Sequence, residues 1–260
     1  MPKIDDLTGM PRKQLHVFYV LDTSGSMEGA KISTLNHAMD ECTQALKTIA
    51  DTNADAELKI AILEFNSGCN WMTVNGPESL EDFEYDYCKA GGLTDIGSAL
   101  AELDTKLSRK TWLKSMVGAF YPIIIFMTDG YATDDYEKKL EEIRKNKWFH
   151  NAIKIGFAIG DDADTKMISS IVGNCEAVVK TSDLELFKRL IKFVTVRSTT
   201  LASTSRTSND EVTGEKIIED VTSEMLDTTD NDISVHLTEN EYNKESSSED
   251  EEYDFDDEEW

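Results

Sequence analysis

Five oxygen-bearing side chains in three separate stretches are the part of this sequence best suited to chemistry. Asp22, Ser24 and Ser26 stand at spacing two, and Gly25 between the serines permits a sharp turn. Thr94 lies just before a helical pattern, and Asp129 follows the most apolar run of the chain, Pro122–Met127. Two carboxylates and three hydroxyls, with no His or Cys among them, are donors for a hard cation: Mg²⁺ first, with Mn²⁺ or Ca²⁺ as alternatives. So few carboxylates leave such an ion electron-poor, and an acidic group from another molecule could complete its shell. The plain alternative is turn chemistry, because Asp, Ser and Thr are common after strands and before helices. Three such turns on one expected edge argue for a site.

The elements that must position these residues are legible as hydrophobic patterns. Val17 to Leu21 is a continuous apolar run, expected as a strand buried on both faces. Ile32, Leu35, Met39, Cys42, Leu46 and Ile49 recur at helical spacing and predict a helix over about 30–50. Strands are expected at 57–65 and 70–74, paired as a hairpin through Asn66-Ser67-Gly68, with loop over 78–90. Ile96, Ala99, Leu100, Leu103 and Leu107 make a helix face, and 109–120 has room for a short helix. Pro122 to Met127 is the central strand, followed by a helix from Thr133 to about Asn146. A strand at 152–159, a helix at 164–172 and a strand at 175–180 follow. A capping box, Ser182 with Glu185, opens the last helix. Alternating strands and helices imply an α/β fold: a doubly wound, mostly parallel central sheet with helices on both faces. Such a sheet gathers its ligand site at the carboxyl ends of its strands. The first strand and the Pro122–Met127 strand should be neighbours, with all five side chains facing one crevice.

Charge divides the 260 residues. Residues 201–260 hold 21 acids and 3 bases, the first 200 residues 30 and 23, for a formal net charge of -25. That balance argues against nucleic acid and against an anionic membrane. No apolar run approaches the roughly 20 residues of a membrane span. Met1 to Gln14 is polar and resembles no signal peptide. Cys42, Cys69, Cys88 and Cys175 are widely spaced and read as reduced thiols, which places the expected protein in the cytoplasm. The expected organisation is an N-terminal arm at 1–13, one domain at 14–197, and a Ser/Thr-rich, then acidic, disordered tail at 198–260. Within that tail, Ile217, Ile218, Val221, Met225 and Leu226 could form a short helix on a partner. Ser246 to Ser248 and the Ser/Thr set at 198–208 are phosphoacceptor candidates, and the acidic stretch suits a basic partner. Asp95, Asp134 and Asp135 read as first-turn helix acids. The four histidines read as structural or exposed, and the bases of 138–147, interleaved with Glu137, Glu141 and Glu142, as a solvated helix face.

Asp-Thr-Ser-Gly-Ser at 22–26 resembles the D-x-S-x-S of the von Willebrand factor A (VWA) domain, and Thr94 and Asp129 match the separate Thr and Asp of its metal-ion-dependent adhesion site. Gly91-Gly92, Gly97 to Leu100 and Phe126 to Gly130 also fit the family, over about residues 14–197. Within it, Ala158-Ile159-Gly160 and the expected intracellular setting look most like the bacterial TerY-like proteins of tellurium resistance and stress response. The resemblance implies that Ser24, Ser26 and Thr94 touch the metal directly, and that Asp22 and Asp129 bind it directly or through water. It implies no catalytic residue, and a protein partner that offers a carboxylate to the ion. A kinase or phosphatase is the kind of partner the subgroup suggests. Two other functions stay open at this point. One is a metal-assisted phosphohydrolase, against which stand the missing phosphate loop and nucleophile elbow. The other is a kinase substrate or adaptor working through its phosphorylated tail.

Overall fold

In a computed structural model of the chain, the described residues are 12–54, 56–115, 118–174, 177–204, 213–228 and 236–237. Strand β1 (Lys13–Asp22) is the hub of the sheet. It pairs in parallel with β2 (Ala56–Asn66) on one side and β5 (Ile123–Thr128) on the other. The sheet continues in parallel through β6 (Ile153–Ile159) and β7 (Val178–Thr181). Short antiparallel strands close its edges: β3 (Gly68–Trp71) and β4 (Glu78–Ser79) on β2, and β8 (His236–Leu237) on β7. The mixed, mostly parallel sheet and the β1–β5 neighbours are as the sequence pattern implied.

Alternation along β1 separates two cores, because successive side chains leave opposite faces. Leu15, Val17, Tyr19 and Leu21 meet helix α1 (Ala30–Thr52) and helix α6 (Leu184–Thr204) through Leu35, Met39, Leu46, Phe187 and Leu190. Phe18 and Val20 meet helices α2 (Ile96–Lys106), α3 (Tyr136–Arg144) and α5 (Thr165–Val172), with the one-turn helix α4 (Lys147–His150) adding Phe149. The hydroxyl of the fully buried Tyr19 is satisfied by Thr195 at 2.9 Å. That bond ties the hub strand to α6.

Several expectations need correction. The expected domain end at 197 falls inside α6, and a further helix, α7 (Gly214–Thr228), lies on the same domain. Ile217, Ile218 and Val221 of α7 are buried in the α1–α6 core rather than set against a partner. Burying each such side chain contributes roughly 2 kcal/mol, more than its placement on solvent could return. The first turn of α6 is capped by Asp183, whose carboxylate accepts from Glu185 N and Leu186 N, not by Ser182. An Asx cap one residue later wins because its oxygen is charged. The hairpin strand starts at Gly68, two residues early, and the described part of 109–120 is not helical. Cys42, Cys69 and Cys88 are free thiols. Residues 1–11, Cys175, the phosphoacceptor candidates at 205–208 and 246–248, and the acidic stretch 238–260 lie outside the described residues. No helix among the described residues is long and apolar enough to cross a membrane.

Candidate functional site

The crevice between the carboxyl ends of β1 and β5 forms where the chain order of the parallel strands reverses, the usual ligand position in an open α/β sheet. Asp22, the last residue of β1, is wholly buried. Its Oδ1 accepts from Ser24 N at 2.8 Å and its Oδ2 from the Thr128 hydroxyl at 2.5 Å. Thr128 in turn accepts from Gly130 N. These bonds fix the carboxylate at the floor of the crevice.

Asp129 forms the opposite wall. Its Oδ1 accepts from Ser26 Oγ at 2.7 Å, and Ser26 meets Ser24 Oγ at 3.0 Å. Ser26 has one proton and gives it to Asp129, so the Ser24 hydroxyl is the donor between the serines. The fifth residue sits beside them. A Cβ added at Gly130 would stand 3.6 Å from Ser26 Oγ and 3.7 Å from Thr94 Oγ1, so both hydroxyls border the space that Gly130 leaves. Thr94 itself is pinned: its N–H donates to Thr133 Oγ1 and its carbonyl accepts from Thr133 N, each at 2.9 Å. The Gly91–Gly92 loop is stitched to the first turn through Gly91 N to Thr23 O and Gly25 N to Gly92 O. All five expected side chains therefore lie on one crevice.

Burial pushes the Asp22 carboxyl above its ordinary value and the neighbouring Asp129 adds to that, while the bonds from Ser24 and Thr128 oppose it. Two buried carboxylates on one crevice favour a positive charge between or beside them. The protein supplies one. Lys31, on the first turn of α1, places Nζ 2.5 Å from Asp129 Oδ2. Its side chain is 34% exposed while that of Asp129 is 0% exposed, so the ammonium can swing to solvent but the carboxylate cannot. Lys31 was not visible as a site residue in the sequence; its only signal was its place one turn after Asp-x-Ser-x-Ser. Thr128 was missed too: it stood in the sequence as the residue just after the expected strand, and the structure makes it the last residue of β5. Asp95 and Asp134 prove to be braces. Asp95 accepts from Gly68 N and the Thr133 hydroxyl, and Asp134 accepts from Gly97 N and Ser98 N, capping α2 from the neighbouring loop.

The donor set fits a hard divalent cation. Among the described residues no group of three or more His, Cys, Asp or Glu is arranged to hold a metal. What the crevice offers instead is two buried carboxylates, three hydroxyls and a lysine already acting as the counter-charge.

The architecture matches solved structures over about 72% of the chain. One is a von Willebrand factor type A structure from Catenulispora acidiphila, at 19% identity and a TM-score of 0.50, with 43% of that chain covered. The fold is that of a VWA domain. Proximal thread matrix protein 1 from the mussel byssus, solved with a zinc-occupied MIDAS motif, aligns at 15% identity and a TM-score of 0.55, with 48% of it covered. The pilus adhesin SpaC from Lactobacillus rhamnosus GG aligns over 73% of the chain and 31% of its own, at 9% identity and a TM-score of 0.56. By sequence, inter-alpha-trypsin inhibitor heavy chain H6 of Homo sapiens is 28% identical over 167 residues, 62% of this chain and 12% of that protein. The chain thus spans about an eighth of that curated relative and less than half of each of these structures. No protein-family profile matches it.

Proposed function

We propose that this VWA-fold chain is a metal-dependent protein-binding module, without catalysis of its own, whose crevice captures an acidic group of a partner. Asp22, Ser24, Ser26, Thr94 and Asp129 would hold the ion, Mg²⁺ by the hardness of the donors. When bound, the ion would offer an open position to a carboxylate. The observation that carries the reading is the chain of bonds from Asp22 through Ser24 and Ser26 to Asp129, with the Thr94 hydroxyl bordering the same space as Ser26. The Ser24, Ser26 and Thr128 hydroxyls are each committed to a neighbour in the cluster: Ser24 to Ser26, Ser26 to Asp129 and Thr128 to Asp22. That arrangement builds a rigid cradle and poises no nucleophile. Asp22 sets the floor charge, Ser24 and Ser26 hold the first turn, and Lys31 guards Asp129 until the ion displaces it. The mussel protein's zinc-occupied motif supports a divalent ion in this fold. An adaptor role in a bacterial stress-response or phosphorylation-signalling complex rests on the TerY-like resemblance. A capture experiment tests the reading. The immobilised chain should retain partners from extract in magnesium and release them in EDTA, and the Asp22→Asn form should retain none. Retention that survives both EDTA and the substitution contradicts it.

A further inference from the structure

A second cavity, of about 960 Å³, opens at the opposite end of the sheet, where the amino ends of β5, β6 and β7 meet the end of α3 and the start of α7. Its walls combine three cations, Lys13, Arg144 and Lys154, with three rings, Phe120, Tyr121 and Phe149. Glu215 is the single carboxylate among the described lining residues. The cations are held in place. Lys154 Nζ donates to the carbonyls of Phe149, His150 and Ala152 and lies 5.1 Å from the Phe149 ring centre. Lys13 Nζ stands over the Phe120 ring at 5.6 Å, and Arg144 donates to Ser170 O at 2.6 Å. A rigid cationic and aromatic wall suits an acidic segment that carries aromatic side chains.

The chain has such a segment, and its last strand points at the cavity. Residues 238–260 hold 12 acidic side chains against one lysine, with Tyr242, Tyr253, Phe255 and Trp260 among them. β8 runs antiparallel to β7, His236 opposite Lys180 and Leu237 opposite Val179. The chain therefore leaves Leu237 in the direction of Val178 and Ala177, and Ala177 lines the cavity. At roughly 3.3 Å per extended residue, two residues suffice to reach it. We propose that the cavity is the docking site of the chain's own acidic segment, residues 238–260, in the same molecule. This leaves the metal crevice, at the other end of the strands, open to an outside partner, and it does not depend on any metal.

Zero-length carbodiimide cross-linking of the full chain, followed by peptide mass spectrometry of the separated monomer and covalent-dimer fractions, tests the proposal. The expected products are amide links from Lys13 and Lys154 to carboxylates within 239–259. They should fall at least about fivefold in about 0.5 M sodium chloride, where screening length drops to roughly 4 Å. Arg144→Gln, which removes a cation without removing a cross-linkable amine, should lower them as well. Three results would overturn it: tail links made chiefly to Lys31 at the other end, links from Lys13 and Lys154 to Asp210 or Glu211 instead, or tail links confined to covalent dimers, which would mean a second copy is the occupant.

Discussion

Replacing Lys31 by methionine should tighten metal binding while weakening the metal-free fold. The substitution keeps the apolar stem and deletes the charge that now neutralises Asp129. A unit charge pair near 4 Å is worth about 1 kcal/mol in water and about 4 kcal/mol at an effective dielectric of 20. Lys31 is a third exposed and Asp129 is not exposed at all, so a value of about 2 kcal/mol, discounted for screening, is appropriate. An incoming cation has to displace that contact. Removing it should therefore lower the dissociation constant roughly thirtyfold. In the absence of metal, the same loss strands a buried carboxylate, and melting should fall by about 4–8 °C for a domain of this size. Saturating magnesium should restore the difference, since ligand binding to the native state adds stability in proportion to the logarithm of concentration over dissociation constant. Calorimetric titration with magnesium and thermal melts in EDTA and in magnesium measure both halves. Affinity unchanged within about twofold, or weakened, would refute the view of Lys31 as a competing internal cation.

Other expectations concern the frame that holds the crevice. His16 is buried, its Nδ1 finds no hydrogen-bond partner among the described residues, and burial lowers its pKa to about 4. Because the folded value lies below the unfolded one near 6.5, the unfolded chain binds the extra proton. Stability contributed by the neutral ring is therefore present above about pH 6.5 and is lost as pH falls toward 4, by up to about 3 kcal/mol. His16→Gln should flatten that part of a denaturant-midpoint profile; an unchanged slope contradicts the assignment. Gly214→Ala would place a Cβ 2.3 Å from the Lys154 carbonyl oxygen and 3.1 Å from Ala177 Cβ. It should shift α7 off β6 and cost about 1–3 kcal/mol in urea unfolding; a neutral substitution would mean that α7 does not dock there. Asn36 joins α1 to the loop before Gly91, accepting from Cys88 N and the Tyr85 hydroxyl and donating to Cys88 O. Asn36→Ala should cost about 2–3 kcal/mol by leaving buried backbone groups unpaired, and hydrogen exchange at Cys88 should rise while that at Val20 does not.

Much of this architecture could be read from pattern alone because the deciding forces are local or periodic. Val17–Leu21 and Ile123–Met127 are apolar on both faces, which only a covered parallel strand tolerates. Asp22, Ser24 and Ser26 declare themselves by spacing, and the sheet then brings Thr94 and Asp129 to them. What pattern could not supply was long-range pairing. Lys31 became a site residue only when α1 was laid beside the end of β5. Asp134 reads as a cap for its own helix yet caps α2, because the Thr94–Thr133 pairing sets the two loops side by side. The helix after Gly214 carries an apolar face that the sequence assigned to a partner, because composition around it is polar enough to suggest a tail. Ile217, Ile218 and Val221 turn inward because α7 packs against α6 and β6.

The most direct measurement of the central claim is a manganese titration of the full chain followed by electron paramagnetic resonance, with magnesium as competitor. The account predicts a single bound Mn²⁺ per chain in about 1 mM metal, displaced by Mg²⁺, and lost in both Asp129→Asn and Thr94→Ala while far-ultraviolet circular dichroism stays unchanged. Manganese that stays bound in the Asp129→Asn and Thr94→Ala forms, or that never binds the wild-type chain at that concentration, would contradict it.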